Sequence, residues 1–250
     1  MKNKSNRHIP GLEKTDAVIL CGGLGTRLRT EIGEAQKVMA QIGGRPFLDI
    51  VLRHLLGQGF RRVILCTGYK KENVSEYYQK NTLGMELVFS EEAEPLGTGG
   101  ALKQAGEKIQ SDPFFVLNGD SYCPFRFVDL LEFHFFKKAQ ATIVLTRTTG
   151  RKDVGSVSID ADDRITGFRE KSAILPQQKG RRRVYVNAGI YCFGKEILSF
   201  MPSQGKFSLE QDFFPSLTDK RFYGYETAED FIDIGTPQRY QASQEKLGNK

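Results

Sequence analysis

The first half of the chain alternates short apolar runs with amphipathic stretches. A continuous apolar run at residues 17–21 ends in Gly22-Gly23, which is typical of a parallel strand buried on both faces. From Pro46 onward, apolar residues recur every three or four positions and predict one face of a helix. The same patterns predict strands at residues 63–66, 86–90 and 114–117 and helices at residues 71–79 and 98–109. This order indicates a parallel sheet with helices on both faces.

The second half has a different pattern, in which strands follow one another with few helices between them. The predicted strands are at residues 141–147, 155–159, 164–169 and 184–193, and the predicted helices at residues 125–138, 207–214 and 237–247. We therefore expect an α/β fold with a mixed, mostly parallel sheet, formed as a single domain over residues 15–250. Residues 1–14 are polar and basic, and we expect them to form a disordered tail.

The composition excludes several classes of protein. With 250 residues, 39% of them hydrophobic, the chain can bury one large core, and no apolar run approaches the ~20 residues of a bilayer span. No apolar stretch follows the basic N-terminus, so we expect no secretory signal. The four cysteines lack a metal-binding spacing and suit a reducing cytosol. We therefore expect a cytoplasmic protein without membrane contact.

The net charge of +6 is compatible with nucleic-acid binding or with small anionic substrates. Lysines and arginines are scattered along the chain, which favours the second interpretation, because a positive cleft speeds the association of polyanions. We therefore expect no nucleic-acid partner. Whether the chain forms homo-oligomers stays open at this point.

A glycine-rich loop follows the first apolar run. Its backbone N–H groups, which can form an anion-binding nest, come from Gly22, Gly23, Gly25 and Thr26. The loop is neither a P-loop nor a dinucleotide-binding fingerprint, because the required spacings are missing. Arg27 adds a group that can clamp a phosphate, and Lys37 adds a point charge. The alternative is an ordinary strand-to-helix turn, but the internal arginine favours phosphate binding.

Polar segments also follow three other predicted strands. Glu92, Gly97 and Thr98 lie in a loop after the third strand, while Asp120 and Asp233 each lie beside a glycine at a strand end. Ligands of open α/β sheets bind beyond the carboxyl ends of the strands, and two converging aspartates would suit Mg²⁺. The alternatives are turn residues for the aspartates, a helix N-cap for Thr98 and a solvated loop charge for Glu92.

In this order the motifs resemble those of the sugar-1-phosphate nucleotidyltransferases, over about residues 16–246. The matching segments are 22–28 with Lys37, 94–100, 118–120, 169–171, 187–189 and 233–237. The resemblance implies a Rossmann-like, GT-A-like nucleotidyltransferase fold with a nucleotide-binding half at about 15–122 and a sugar-binding half at about 123–250. Within the family, residues 116–122, 186–193, 206–214 and 231–240 are most similar to the D-glycero-D-manno-heptose 1-phosphate guanylyltransferases.

The resemblance assigns roles to the residues of the nucleotide-binding half. The glycine loop and Arg27 would hold the triphosphate, and Lys37 would contact its phosphates. Glu92 and Gly97 would face the base, with Thr98 beside them. A carboxylate can accept both N1–H and N2–H₂ of guanine, whereas uracil and thymine offer a single donor between acceptors, so we expect GTP as the nucleotide.

The resemblance also assigns the metal and the sugar. Asp120 and Asp233 would hold Mg²⁺. The sugar phosphate would be bound by Gly155, Glu170, Lys171 and Asn187. In the family, prolines usually flank the lysine that matches Lys37, but here its neighbours are Gln36 and Val38, so we expect a less rigid loop.

The implied reaction transfers a nucleotidyl group to a sugar 1-phosphate, releases pyrophosphate and yields a nucleotide-sugar for a surface glycan such as lipopolysaccharide, capsule or S-layer glycan. The second pKa of a phosphomonoester is near ~6, so no general base is needed, and we expect His54 and His134 to be structural. Two alternatives remain at this point. One is a mannose- or glucose-1-phosphate nucleotidyltransferase that uses another triphosphate, and the other is a catalytically silent regulatory subunit that binds a nucleotide-sugar.

Overall fold

The computed structural model describes residues 9–23, 25–33, 35–147, 156–169 and 183–248. Its strands are β1 (Ala17–Leu20), β2 (Gln41–Ile42), β3 (Arg45–Pro46), β4 (Arg62–Thr67), β5 (Glu86–Glu91), β6 (Phe114–Asn118), β7 (Ser121–Tyr122), β8 (Ala141–Arg147), β9 (Ser156–Ile159), β10 (Ile165–Arg169), β11 (Arg183–Phe193), β12 (Phe222–Thr227) and β13 (Ile232–Asp233). Its α-helices are α1 (Arg29–Ile32), α2 (Phe47–Gln58), α3 (Lys71–Lys80), α4 (Gly97–Ala105), α5 (Phe127–Phe136), α6 (Ile197–Phe200) and α7 (Pro237–Leu247).

One sheet of nine strands runs through both halves of the described chain. Its order is β10-β9-β11-β6-β1-β4-β5, with β8 paired to β11 and β12 paired to β8. Strands β6, β1, β4 and β5 are parallel neighbours, whereas β11 is antiparallel to β6, β8 and β9. The predicted mixed sheet with a parallel first half is therefore confirmed.

Hydrophobic cores cover both faces of this sheet. Successive residues of a strand point to opposite faces, so Ile19 and Val18 of β1 belong to different cores. The core around Ile19 includes side chains of α2, α5 and α7, and the core around Val18 includes side chains of α4 and α6. The continuous apolar run of β1 is explained by this double burial. No helix in the described part of the chain is long and apolar enough to span a bilayer.

Strand β12 was not predicted from the sequence. Gly224 interrupts its run of aromatic residues, and a glycine in a strand usually marks a break. In the structure β12 pairs along its whole length with β8, from Phe222 opposite Ala141 to Thr227 opposite Thr146. Pairing with β8 therefore overrides the local signal of Gly224. After β12 the chain continues to β13, which contains Asp233.

Three other predictions need correction. The helix expected at residues 207–214 is a π-helical turn at Leu209–Phe213 followed by a 3-10 turn at Phe214–Leu217. The helix expected at residues 98–109 begins at Gly97, ends as α-helix at Ala105 and continues as a 3-10 turn at Gly106–Lys108. The disordered tail does not extend to residue 14, because Leu12–Lys14 form a 3-10 turn in which Leu12 is buried in the core.

Candidate active site

The polar segments singled out in the sequence meet at one edge of the sheet. The parallel strands β1, β4, β5 and β6 end there, and the carboxyl ends of parallel strands lie side by side. The glycine loop follows β1, Glu92 follows β5, and Asp120 follows β6. This edge is therefore the candidate active site.

The two aspartates are brought together by a short antiparallel pair, β7 and β13. Asp233 lies opposite Ser121, and the backbone N–H of Ile234 donates to the carbonyl oxygen of Asp120 at 3.1 Å. The structure thus brings together the two aspartates that the sequence singled out. They come from opposite halves of the chain, so the site depends on the two halves being correctly joined.

Each aspartate is paired with a cation. Lys37 Nζ donates to Asp120 Oδ2, and Ser121 Oγ donates to Asp120 Oδ1 at 3.0 Å. Burial raises the pKa of the Asp120 carboxyl, but the charge and hydrogen bond of Lys37, together with hydrogen bonds from Ser121 and the backbone, hold the pKa below its ordinary value. Arg239 Nη1 donates to Asp233 Oδ1 at 2.9 Å, in a pair of which the Asp233 side chain is only 9% exposed.

The charged groups surround Gly235. A Cβ atom placed on Gly235 would lie 2.8 Å from Asp233 Oδ1 and 3.6 Å from both Arg239 Nη1 and Lys37 Nζ. We call Lys37, Asp120, Asp233 and Arg239 the charge cluster. Two carboxylates and two cations around one point can bind a polyanion together with a metal ion.

The carboxylates offer only part of a metal coordination sphere. In the described part of the chain no group of three or more His, Cys, Asp or Glu side chains is arranged to hold a metal. The oxygen donors of Asp120 and Asp233 nevertheless suit Mg²⁺, which is usually held by one or two carboxylates and completed by phosphate oxygens and water. The two carboxylates therefore fit a Mg²⁺ ion whose other ligands would be phosphate oxygens and water.

Arg239 was missed in the sequence, although a signal for it exists. It lies in the first turn of α7, where the helix dipole disfavours a positive charge unless an anion is nearby. An arginine at that position, six residues after Asp233, points to a pair between the two side chains. In the structure this pair holds the Asp233 carboxylate beside Gly235, on the side that also faces Lys37.

The glycine loop packs tightly against the other site residues. A Cβ on Gly22 would clash with Glu92 Oε1 unless that side chain moved, and a Cβ on Gly25 would lie 3.1 Å from Lys37 Cβ. The backbone of Thr26 begins a 3-10 turn that contains Arg27, while Gly23 is exposed. Arg27 is exposed and makes no hydrogen bond or ion pair with another described residue. Its guanidinium is therefore available to a phosphate group.

Gln36 ties the Lys37 segment to the glycine loop where the family usually has a proline. The Gln36 side chain is buried, and its Nε2 donates to the carbonyl oxygen of Cys21 at 3.0 Å. On the other side of Lys37, Val38 is buried and packs against Gly119. A side-chain hydrogen bond and apolar packing thus hold the lysine in the place of two proline rings. The lower rigidity of the loop stays a prediction.

Glu92 is not a solvated loop charge, so that alternative is wrong. The residue is 7% exposed, its Oε2 accepts from the backbone N–H of Leu96 at 2.8 Å, and its Oε1 lies against Gly22 and Gly68. Burial raises the pKa of the Glu92 carboxyl, and the hydrogen bond from Leu96 offsets only part of that rise. A buried carboxylate beside the glycine loop is well placed to recognise a ligand, and its contact with the base stays a prediction.

Thr98 is not the N-cap of α4, contrary to the alternative reading of this residue. The helix begins at Gly97 with Leu96 at the N-cap position and has no side-chain cap. The Thr98 hydroxyl accepts from the backbone N–H of Leu209 at 2.8 Å and donates to Glu210 at 2.9 Å. A contact with a distant segment therefore replaces the expected local one.

Of the predicted sugar-binding residues, the structure describes Asn187 in β11. Asn187 Nδ2 donates to the Tyr191 hydroxyl at 3.0 Å, and Asn187 Oδ1 accepts from the backbone N–H of Gly189 at 2.8 Å. Gly155, Glu170 and Lys171 lie outside the described residues. The sugar-binding roles therefore stay predictions.

The fold and the site define a class of protein, and comparison with known proteins agrees. The chain belongs to the nucleotidyl transferase family, which it matches over residues 16–250. It is 37% identical over 233 residues to the D-glycero-alpha-D-manno-heptose 1-phosphate guanylyltransferase of Aneurinibacillus thermoaerophilus, covering 93% of this chain and 98% of that protein.

Two further relatives extend the comparison. The mannose-1-phosphate guanylyltransferase of Mycobacterium tuberculosis is 34% identical over 231 residues, covering 91% of this chain and 63% of that protein. The crystal structure of HddC from Yersinia pseudotuberculosis complexed with GMP-PN matches with a TM-score of 0.80 at 36% identity, covering 93% of this chain and 99% of that chain.

Proposed function

We propose that this protein transfers a guanylyl group from GTP to a sugar 1-phosphate, with D-glycero-D-manno-heptose 1-phosphate as the preferred acceptor. A phosphate oxygen of the sugar 1-phosphate forms a bond to the α-phosphorus of GTP. The bond from that phosphorus to the β-phosphate breaks, and pyrophosphate leaves. The observation that carries the proposal is the charge cluster around Gly235, at the edge where the glycine loop ends.

The reaction needs charge stabilisation more than proton transfer. The sugar phosphate is already mostly a dianion at neutral pH, so the barrier comes from repulsion between anions and from charge on the leaving pyrophosphate. Lys37 in the cluster and Arg27 in the glycine loop supply positive charge where the phosphates would lie. Mg²⁺ held by Asp120 and Asp233 would neutralise further phosphate charge when bound.

The two histidines in the described part of the chain have structural positions, which supports a reaction without a histidine base. His134 is buried against Thr142, with 2.9 Å between Nδ1 and Oγ1, and burial lowers its pKa to about 4. His54 packs against the rings of Tyr122 and Phe127. His134 is therefore part of the protein interior, and the half-buried His54 packs against aromatic rings.

Guanine as the base is supported by Glu92 and by the names of two relatives. The buried carboxylate can accept the two adjacent donors of guanine, and the M. tuberculosis and A. thermoaerophilus relatives are both named guanylyltransferases. The heptose follows the A. thermoaerophilus protein, and mannose 1-phosphate is the competing acceptor. The intact charge cluster argues against a catalytically silent regulatory subunit.

We place the protein in the cytoplasm, where its four buried thiols would stay reduced. The product would be a GDP-sugar, which a glycosyltransferase would consume in building a surface glycan.

A product assay by mass tests this proposal. The protein is incubated with Mg²⁺ and each pairing of GTP, ATP, CTP, UTP or dTTP with heptose, mannose or glucose 1-phosphate. We expect GDP-heptose and pyrophosphate as the dominant products and no product in excess chelator. Full activity in chelator would refute the metal-dependent mechanism, and a dominant product with another base would refute the guanine assignment.

A further inference from the structure

The segment at residues 207–210 lies across the start of α4, which is part of the expected nucleotide-binding loop. The backbone N–H of Phe207 donates to the carbonyl oxygen of Leu96 at 3.0 Å, and Gly99 N–H donates to the Phe207 carbonyl oxygen at 3.0 Å. Gly97 has a φ of 72°, and a Cβ there would lie 2.6 Å from the Phe207 carbonyl oxygen. The loop and this segment therefore fit together only because position 97 is a glycine.

Glu210 accepts hydrogen bonds from three hydroxyl groups. Its Oε2 accepts from Thr98 and from Ser208 at 2.9 Å each, and its Oε1 accepts from Tyr191 at 3.1 Å. Each hydroxyl already accepts another hydrogen bond, from Leu209 N–H, from Gln211 N–H and from Asn187 Nδ2 respectively. Their protons are thus directed to Glu210, and an ionised carboxylate is the group that only accepts.

The same hydrogen bonds continue to the expected sugar site. Tyr191 is fully buried, and its hydroxyl is hydrogen-bonded to Asn118 as well as to Glu210 and Asn187. The Tyr191 hydroxyl oxygen accepts a hydrogen bond from Asn187 Nδ2, and Asn187 Oδ1 accepts one from the Gly189 N–H. The Asn187 amide is therefore held between the Gly189 N–H and the Tyr191 hydroxyl, and that hydroxyl donates to Glu210.

We propose that Glu210 is a positioning residue that couples the nucleotide loop to the sugar site through two branches. One branch runs through Thr98 to the loop that begins α4, and the other runs through Tyr191 to Asn187. This inference rests on the proposed function and on the roles that the family resemblance implies, with Thr98 beside the base and Asn187 in the sugar site. It gives a role to part of the segment 206–214, which resembles the heptose 1-phosphate guanylyltransferases.

The two branches can be separated by substitutions that keep the shape of each side chain. Tyr191→Phe removes the sugar branch, and we expect KM for the sugar 1-phosphate to rise about tenfold while KM for GTP changes less than about twofold. Thr98→Val removes the nucleotide branch. It should raise KM for GTP about tenfold while KM for the sugar 1-phosphate changes less than about twofold. Thr98→Ser keeps the hydroxyl and should restore wild-type values.

Glu210→Ala tests whether the branches meet at the carboxylate. We expect it to raise both KM values, and Tyr191→Phe added to Glu210→Ala should cause no further change. The matched control is Tyr78→Phe, which removes a buried tyrosine-to-carboxylate hydrogen bond of 2.8 Å to Asp49, between helices α3 and α2. Its KM values should equal those of the wild type.

The outcomes separate this inference from the proposed function. If the wild-type protein forms no nucleotide-sugar, the proposed function fails. If the wild type is active but Tyr191→Phe and Thr98→Val move both KM values equally, or neither, the positioning role of Glu210 is refuted. Because these two variants retain the core packing, the test stands even if Glu210→Ala fails to fold.

Discussion

Glu92→Gln exchanges one carboxylate oxygen for an amide nitrogen where we expect the base to bind. The structure determines which oxygen is lost. Leu96 N–H donates to Oε2 at 2.8 Å, so the glutamine must place its own oxygen there to avoid two donors facing each other. The NH₂ group then occupies the position of Oε1, beside Gly22 and Gly68.

The size of the effect follows from this orientation. With a donor in place of Oε1, the amide would face the N–H donors of guanine and lose a charge-assisted hydrogen bond. Such a bond contributes about 1.5–3 kcal/mol, which corresponds to a fall of roughly 10- to 150-fold in kcat/KM for GTP. For UTP we expect no comparable fall, because the change removes a repulsion between the carboxylate and the acceptor groups of uracil. The preference for GTP over UTP should therefore shrink.

The assay is pyrophosphate release, with kcat/KM measured for GTP and UTP against the same sugar 1-phosphate. Glu91→Gln is the matched control, since Glu91 is exposed and pairs with Lys71 at 3.0 Å instead of facing the site. It should leave the ratio of the two kcat/KM values unchanged. If Glu92→Gln discriminates between GTP and UTP as well as the wild type does, the assignment of Glu92 to the base is wrong.

Four further predictions concern the charge cluster, the Lys37 segment, pH and the sugar. Asp120→Asn and Asp233→Asn should each lower kcat at least roughly a hundredfold in the pyrophosphate assay, and near wild-type turnover would contradict their role. Gln36→Leu, which removes the hydrogen bond to Cys21, should raise KM for GTP by about fivefold with a smaller change in kcat, and an unchanged KM would exclude Gln36 as a tether. Because the pKa of the buried Glu92 carboxyl is raised, the stability that this group contributes below its unfolded pKa of about 4.3 is lost as pH rises through the folded pKa. Glu92→Gln carries no charge, so its Tm should exceed that of the wild type at pH about 7.5 and by a smaller margin at pH about 4.5. A difference in Tm that does not change with pH would contradict the burial argument. The ratio of kcat/KM values should favour heptose over mannose 1-phosphate, by about tenfold if the pocket only tolerates the longer sugar, and a ratio favouring mannose or glucose would correct the acceptor.

Much of the fold could be predicted because its signals are local. The apolar run of β1 and the helical spacing that begins α2 report burial against whatever covers them, without requiring knowledge of the partner. Strand β12 shows where this fails, since Gly224 disrupts its local pattern and only pairing with β8 makes it a strand. The helix prediction for residues 207–214 is wrong for a related reason. The backbone of Phe207 forms hydrogen bonds with Leu96 and Gly99 instead of beginning a helix.

The candidate site divides in the same way. The glycine loop, Glu92 and Asp120 were accessible from the sequence, because each follows a parallel strand and parallel strands deliver their carboxyl ends to one edge. Asp233 was accessible as an aspartate beside a glycine at a strand end, although its strand β13 lies outside the parallel sheet. The partners of these residues were not. Arg239 and Gln36 act through contacts that depend on how α7 and the Lys37 segment lie against the sheet edge.

By itself, therefore, the sequence determined the alternation of strands and helices in the first half, the family and the segments that gather at one edge of the sheet. Only the tertiary structure decided which charges pair and which hydroxyls share a carboxylate. Lys37 and Asp120 are 83 residues apart, and Thr98 and Glu210 are 112 residues apart. Periodicity reports the environment of a segment within a few turns or strand positions, whereas a side-chain hydrogen bond requires two distant backbones to be placed within ångströms of each other.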